Sequence, residues 1–231
     1  LGFSSAASDV YKRQVFYMFE SKNKYFGRKK GKSFVRLEQY SKFLKEPNKR
    51  LFNKIKTPRI LEIGIGDGEK ISEDAKLYSK INFIGCDIFA DGVLRAIRNS
   101  VDDNLKNLQV FHLNIQDLLP FIPNNYLQEI RIYFPDPWPK NKHKKRRTVN
   151  QTLVKELTKK LKKNGFVRFA TDHGDYFIEA LALMKKFKYT MPDISPKCWK
   201  YSDSNALHTK FEKKALDLSL IHISEPTRRL S

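Results

Sequence analysis

The chain has 231 residues, 40% of them hydrophobic and 13% aromatic, with 45 Lys and Arg against 25 Asp and Glu for a net charge of +20. That suffices for one domain with a real core and excludes compositional disorder. No apolar run approaches the roughly 18–20 residues of a membrane span, and two cysteines, Cys86 and Cys198, exclude a disulfide framework and read as reduced thiols of a cytosolic protein. The charge favours a polyanionic partner, nucleic acid before a membrane surface. A lysine-rich genome would produce the same excess, so the location of the charge must decide.

The two ends read as foreign to the protein. Ser4–Gln14 is SSAASDVYKRQ and Leu218–Arg228 is LSLIHISEPTR. Back-translated, DVYKRQ has a reverse complement that reads LSLIHI, so the two ends are opposite strands of one DNA word. That word resembles a transposon end used in sequencing-library adapters. Residues 1–14 and 218–231 are therefore set aside as adapter-like tails, expected to be disordered or loosely packed. The native termini stay open.

Residues 15–36 form a basic, aromatic arm with Tyr25, Phe26, Arg28, Lys29, Lys30, Lys32, Phe34 and Arg36. Leu37, Tyr40, Phe43, Leu44, Leu51 and Phe52 follow at roughly helical spacing, interrupted by Pro47. Strand and helix patterns then alternate. Strands are predicted over Arg59–Ile63, Ile81–Ile88, Leu108–Leu113, Leu127–Phe134 and Gly165–Thr171. Helices are predicted over Glu69–Ser79, Ala90–Asn99, Thr148–Lys163 and Tyr176–Phe187, and Tyr189–Lys213 is expected to supply edge strands. Such alternation means an α/β fold, a mostly parallel sheet with helices on both faces. Ligands of these sheets sit beyond the carboxyl ends of the strands.

The residues at those ends carry the chemistry. The first strand runs into Glu62-Ile63-Gly64-Ile65-Gly66-Asp67-Gly68. Glycines there let a ligand approach the backbone. The third glycine of a dinucleotide fingerprint is replaced by Glu69, which would repel a pyrophosphate. An acidic residue before such a turn suits a cationic ligand, and S-adenosylmethionine carries an ammonium and a sulfonium. Asp87, 25 residues beyond Glu62, is placed to accept ribose hydroxyls, although NAD proteins share this spacing. Asn114 and Asp117 follow the third strand, where an amide or carboxylate meets an adenine amine or merely caps a helix. The fourth strand ends in Phe134-Pro135-Asp136-Pro137-Trp138-Pro139-Lys140, whose three prolines hold Asp136 and Trp138 in a rigid loop. Six of the eight residues Lys140–Arg147 are Lys or Arg, and their place beside that loop favours phosphate contact over a merely solvated face. His143 reads as one more polar surface residue. Thr171-Asp172-His173 follows the fifth strand, with Asp172 facing a base edge or capping a helix. No Cys/His spacing fits zinc, and no phosphate-binding loop or nucleophile elbow occurs, so no metal is expected.

With these residues in view, the sequence resembles the bacterial tRNA (guanine-N7-)-methyltransferases over roughly residues 26–213. The matching blocks are E-x-G-x-G (Glu62–Gly66), F-P-D-P-W-P-K (Phe134–Lys140), H-x-K-R-R (His143–Arg147), T-D (Thr171, Asp172) and T-x-F-E (Thr209–Glu212). The proline-rich block followed by the basic block is the specific part. The resemblance implies a Rossmann-like class I methyltransferase fold over 37–217. It implies S-adenosylmethionine contacts at Glu62, Gly64, Gly66, Asp87, Asn114 and Asp136, and substrate contacts at Lys140, Asp172, Thr209, Lys210, Phe211 and Glu212. Asp136 would be the catalytic residue, tRNA the partner, and a variable-loop guanosine the target. Asp87 stands where the family often has Glu, and Asn114 where it often has Asp. A cytoplasmic enzyme, monomer or homodimer, is the expectation.

Guanine N7 carries a lone pair and no proton, so methylation there needs alignment more than a general base. Three rival readings stand beside this one. A methyltransferase acting on an exocyclic amine would have a second proline after Asp136-Pro137. An aminopropyl transferase shares the G-x-G-D-G turn, but its polyamine substrate would be repelled by the lysine run. A silent RNA-binding paralogue would not need the intact Glu62, Asp87 and Asp136.

Overall fold

A computed structural model of the chain describes residues 38–49, 52, 58–190 and 223–229. The strands are β1 (Arg59–Ile63), β2 (Asn82–Asp87), β3 (Leu108–His112), β4 (Leu127–Tyr133), β5 (Leu161–Thr171), β6 (Tyr189–Thr190) and β7 (Ile223–Arg229). The helices are α1 (Glu69–Leu77), α2 (Ala90–Asp102), α3 (Ile115–Leu118), α4 (Gln151–Lys160) and α5 (Gly174–Lys186), with 3-10 turns at Glu38–Phe43, Leu119–Phe121 and Asn141–Arg146.

The strand order is β3-β2-β1-β4-β5-β7-β6, with β1 to β5 parallel and β7 antiparallel to both its neighbours. The chain builds outward from β1 to β3, then returns to place β4 on the other side of β1. The order therefore reverses between β1 and β4. Connections leave in opposite directions there and open a crevice at the carboxyl ends. The glycine turn after β1 and the proline loop after β4 both border it.

Side chains alternate across each strand and divide the core in two. Leu61 and Ile63 of β1 join Ile130, Ile132, Leu153, Leu157, Tyr176 and Phe177 on the face covered by α4 and α5. Ile60 joins Ile71, Ala75, Val93, Leu94 and Ile97 on the face covered by α1 and α2. Glu62 has the parity of Ile60 and points to this second face.

Two elements depart from the sequence pattern. The helix predicted over Thr148–Lys163 is shorter. Asn150 caps it by accepting from the Leu153 N–H at 3.0 Å, and Leu161 already has an extended ψ of 140°. Leu153, Leu157 and Leu161 are all buried, which is why they read as one helical stripe. Leu161 instead pairs with Leu127 and starts β5; a register shift follows, so that Glu129 pairs with Phe166.

The other departure is β7, which lies inside the stretch set aside as an adapter-like tail. It pairs with β5 from Phe166↔Arg228 to Thr171↔Ile223. Its Pro226 stands opposite Arg168, while β6 reaches only Arg228 and Arg229. The proline thus sits where β7 has no second neighbour among the described residues, a place that tolerates a missing N–H. Of the edge strands expected over Tyr189–Lys213, Tyr189–Thr190 forms β6; the remainder, like the arm at 15–36, lies outside the described residues. No helix among the described residues is long and apolar enough to cross a membrane.

Candidate active site

The turn after β1 is pinned from β2. The Gly64 N–H donates to the Cys86 carbonyl at 2.9 Å, and the Gly66 N–H donates to Asp87 Oδ2 at 2.8 Å. Gly64 and Gly66 have φ of 78° and 55°, which favours glycine, and a Cβ built on either meets nothing within 4 Å. The turn therefore offers bare backbone to open space. Gly92 of α2 is required for a different reason: a Cβ there would lie 1.8 Å from the Gly66 carbonyl oxygen. Sequence reading missed Gly92, whose need appears only when α2 docks on the turn.

Asp87 uses both oxygens locally, accepting from Gly66 N–H and, at 2.8 Å, from Phe89 N–H. Burial pushes its carboxyl up, opposed by these backbone bonds, and the nearby Asp136 raises it further. A carboxylate has about four lone-pair sites, so two remain for a ligand.

Glu62 is 3% exposed, and its Oε2 has no hydrogen-bond partner. Burial pushes its carboxyl up to about 7, against the pull of Arg131. Arg131 Nη1 lies 3.8 Å from that oxygen, within ion-pair reach and beyond hydrogen-bond reach. Arg131 was not anticipated. The signal was present in the alternation of Leu127–Tyr133, which puts Glu129 and Arg131 on one face of a buried strand.

The proline loop is held as the sequence suggests. Phe134 N–H donates to the Ala170 carbonyl at 2.8 Å, tying the loop to β5. Phe134 and Trp138 adopt φ of 46° and 41°, and left-handed non-glycine residues concentrate at functional sites. Asp136, between them, is exposed. The half-buried Trp138 ring meets His143 edge-on at 5.8 Å, with the Arg146 guanidinium 5.0 Å from its centroid.

The basic run divides by burial and pairing. Lys140, Lys142 and Lys145 are exposed. Arg147 is 3% exposed: it donates to the Pro137 carbonyl at 2.7 Å, pairs with Glu179 of α5 and lies over the Tyr176 ring. Lys144 also pairs with Glu179, at 2.8 Å. These two fasten the loop to the fold. Of the run expected to contact phosphate, Lys140, Lys142 and Lys145 are the basic residues left exposed.

Asn114 is the N-cap of α3, accepting from Gln116 N–H at 3.0 Å. Asp172 follows β5 and is exposed; the α5 cap is its neighbour His173, whose Nδ1 accepts from Tyr176 N–H. Thr209, Lys210, Phe211 and Glu212 lie outside the described residues. Among the described residues no group of three or more His, Cys, Asp or Glu could hold a metal ion.

A family model described as "Putative methyltransferase" matches residues 56–222. A tRNA (guanine-N(7)-)-methyltransferase from Erythrobacter litoralis (strain HTCC2594) is 35% identical over 162 residues, 68% of this chain and 69% of that protein. The chain belongs to this methyltransferase family. A bifunctional methyltransferase from Rickettsia prowazekii (strain Madrid E) is 37% identical over 201 residues, 84% of this chain. The chain spans only 38% of that protein's length. Among solved structures, a 30S ribosomal methyltransferase from an uncultured bacterium superposes with a TM-score of 0.53 at 15% identity, covering 81% of this chain and 96% of that one. That likeness concerns the fold, the Rossmann-like α/β architecture of class I methyltransferases.

Proposed function

We propose that the protein transfers a methyl group from S-adenosylmethionine to N7 of a guanosine in tRNA, in the variable loop. The observation that carries this reading is the rigid loop Phe134–Lys140. It presents Asp136 beside Asp87 at the strand-order reversal and leads directly into the exposed lysines. Membership of the methyltransferase family supports it, as do relatives named tRNA (guanine-N(7)-)-methyltransferase.

The residues fit such a donor. The open oxygen of Glu62 suits an ammonium group, and the space over Gly64 and Gly66 admits a ligand against the backbone. Asp87 keeps lone pairs for ribose hydroxyls. Asn114 meets adenine while also capping α3, since its carbonyl oxygen can accept twice.

When bound, the donor supplies a sulfonium whose S–CH3 bond breaks with the electron pair left on sulfur as the methyl joins N7. No proton has to be removed first. The work of the chain is to hold N7 in line at near-attack distance. Asp136 positions the ring and favours the cation that develops on it. Asp172 accepts from the N1 and N2 donor edge of guanine. Lys140, Lys142 and Lys145 contact phosphates, and Thr209 to Glu212 complete the substrate contacts. The reaction takes place in the cytoplasm.

The test uses the full chain, methyl-labelled S-adenosylmethionine and an unmodified tRNA transcript, with reduction and aniline cleavage to map N7-methylguanosine. Cleavage at one variable-loop guanosine, lost in Asp136→Ala, is expected. Label on another atom or nucleotide overturns the assignment.

A further inference from the structure

Arg131 stands inside a buried charge cluster on the α1 and α2 face of the sheet. Its Nε donates to Glu129 Oε1 at 2.7 Å and its Nη1 to Asp74 Oδ2 at 2.5 Å. Lys70 donates to both oxygens of Asp74 at 2.9 Å, and Arg168 Nε donates to Glu129 Oε1 at 2.9 Å. Three carboxylates, Glu62, Asp74 and Glu129, face three cations, Lys70, Arg131 and Arg168. Asp74 and Glu129 are hydrogen-bonded, whereas Glu62 keeps an open oxygen with Arg131 3.8 Å away. A buried acceptor without a donor costs about 1–3 kcal/mol. Such an atom calls for an explanation, and a ligand that completes it is one.

We propose that Arg131 is a positioning residue for the methyl donor: committed to Asp74 and Glu129, it favours the charged Glu62 carboxylate yet leaves one of its oxygens without a hydrogen bond, as an anchor for the donor's ammonium group. This rests on the reading of S-adenosylmethionine as the donor.

The groups around Glu62 come from three elements. From β4 come Arg131 and Glu129, with Tyr133 nearby; from α1, Asp74 and Lys70; from β2, Cys86 and Asp87. Burial raises the Cys86 thiol and the Tyr133 phenol, so both stay neutral near pH 7. Burial works against the charge of Arg131, but Tyr133, Glu129, Glu62 and Asp74 together raise its pKa, so it stays a cation throughout. Glu62 itself sits at about 7, so its charge changes near neutrality.

Calorimetry with S-adenosylmethionine between about pH 5 and 7 tests this, a range in which an α-amino group of ordinary pKa stays mostly protonated. Wild type is expected to bind about tenfold more weakly for each pH unit below 7 and to release a proton on binding. Glu62→Gln should bind weakly and lose this pH dependence. Arg131→Lys should keep the wild-type profile, and Arg131→Met should move it up by a unit or more. Asp74 keeps Lys70 and Glu129 keeps Arg168 without Arg131, so Arg131→Met is expected to fold. The double variant Arg131→Met/Glu129→Gln serves if it does not. S-adenosylhomocysteine, which retains the amino group and lacks the sulfonium, should show the same profile. A flat profile in wild type, an unshifted one in Arg131→Met, or a dependence confined to the sulfonium compound overturns the proposal and leaves the donor reading standing. No binding of either compound at any pH overturns both.

Discussion

Glu62 of β1 and Arg131 of β4 are register partners in adjacent parallel strands, and their charged ends lie 3.8 Å apart without a hydrogen bond between them. The pair sits under the glycine turn at the point where the strand order reverses. A carboxylate so placed, buried and with an oxygen lacking a donor, is costly to fold.

That cost has a sign in pH. The folded chain raises Glu62 from 4.5 to about 7, so it holds the proton more tightly than the unfolded chain does. The associated stability is full below pH 4.5 and falls as pH rises through 7, by about 3 kcal/mol in all. Glu62→Gln, without ligand, is therefore expected to melt higher than wild type at pH 8, with the advantage shrinking towards pH 5. Thermal unfolding at both pH values checks it; an advantage independent of pH contradicts the assignment.

Asp136 is exposed, on a loop held by other residues. Asp136→Asn should leave the melting temperature within about 2 °C of wild type, since surface changes away from packed features cost little. It should lower methyl transfer by about 10²–10³-fold, as loss of a preorganised electrostatic group does. Single-turnover transfer measured beside donor binding checks it; equal losses in both would make Asp136 a binding residue alone.

The basic run should separate into two kinds of variant. Arg147→Met removes the bonds to Pro137 and Glu179 and is expected to destabilise the fold by about 2 kcal/mol. Lys142→Ala and Lys145→Ala should leave stability unchanged and each reduce the salt slope of tRNA binding by about 1. Unfolding curves and a salt titration of tRNA affinity distinguish them.

Gly92→Ala tests the docking of α2 against the turn. A Cβ would meet the Gly66 carbonyl oxygen at 1.8 Å, so helix or turn must move. Overpacking of this kind typically costs about 1–3 kcal/mol. Donor affinity should fall with it. Gly174→Ala, where a Cβ meets nothing within 4 Å, should change donor affinity little. Calorimetry on both variants checks the contrast.

Much of this architecture was legible before the structure, and the reason is local. Strand and helix periods of 2 and 3.6 and glycine and proline punctuation are read within a few residues. They located β1 to β4 within a residue or so of their observed ends, along with the proline loop. They misplaced the end of α4, because Leu161 satisfies a helical stripe and a strand equally well until Leu127 is beside it. They assigned no structure to Ile223–Arg229, which was set aside as an adapter-like tail; the open edge on β5 that receives it is a property of the sheet and not of that segment.

The candidate site divides along the same line. Composition, the turn Glu62–Gly68, the acid at Asp87 and the block Phe134–Lys140 are contiguous in the chain, and the sequence alone determined them. The pairing of Glu62 with Arg131, the need for Gly92 and the recruitment of Arg147 to the scaffold join residues far apart in the chain. Strand register and helix docking bring them within a few ångströms. At that range burial strengthens an electrostatic contact and forbids a steric one, so these features were decided only by the tertiary structure.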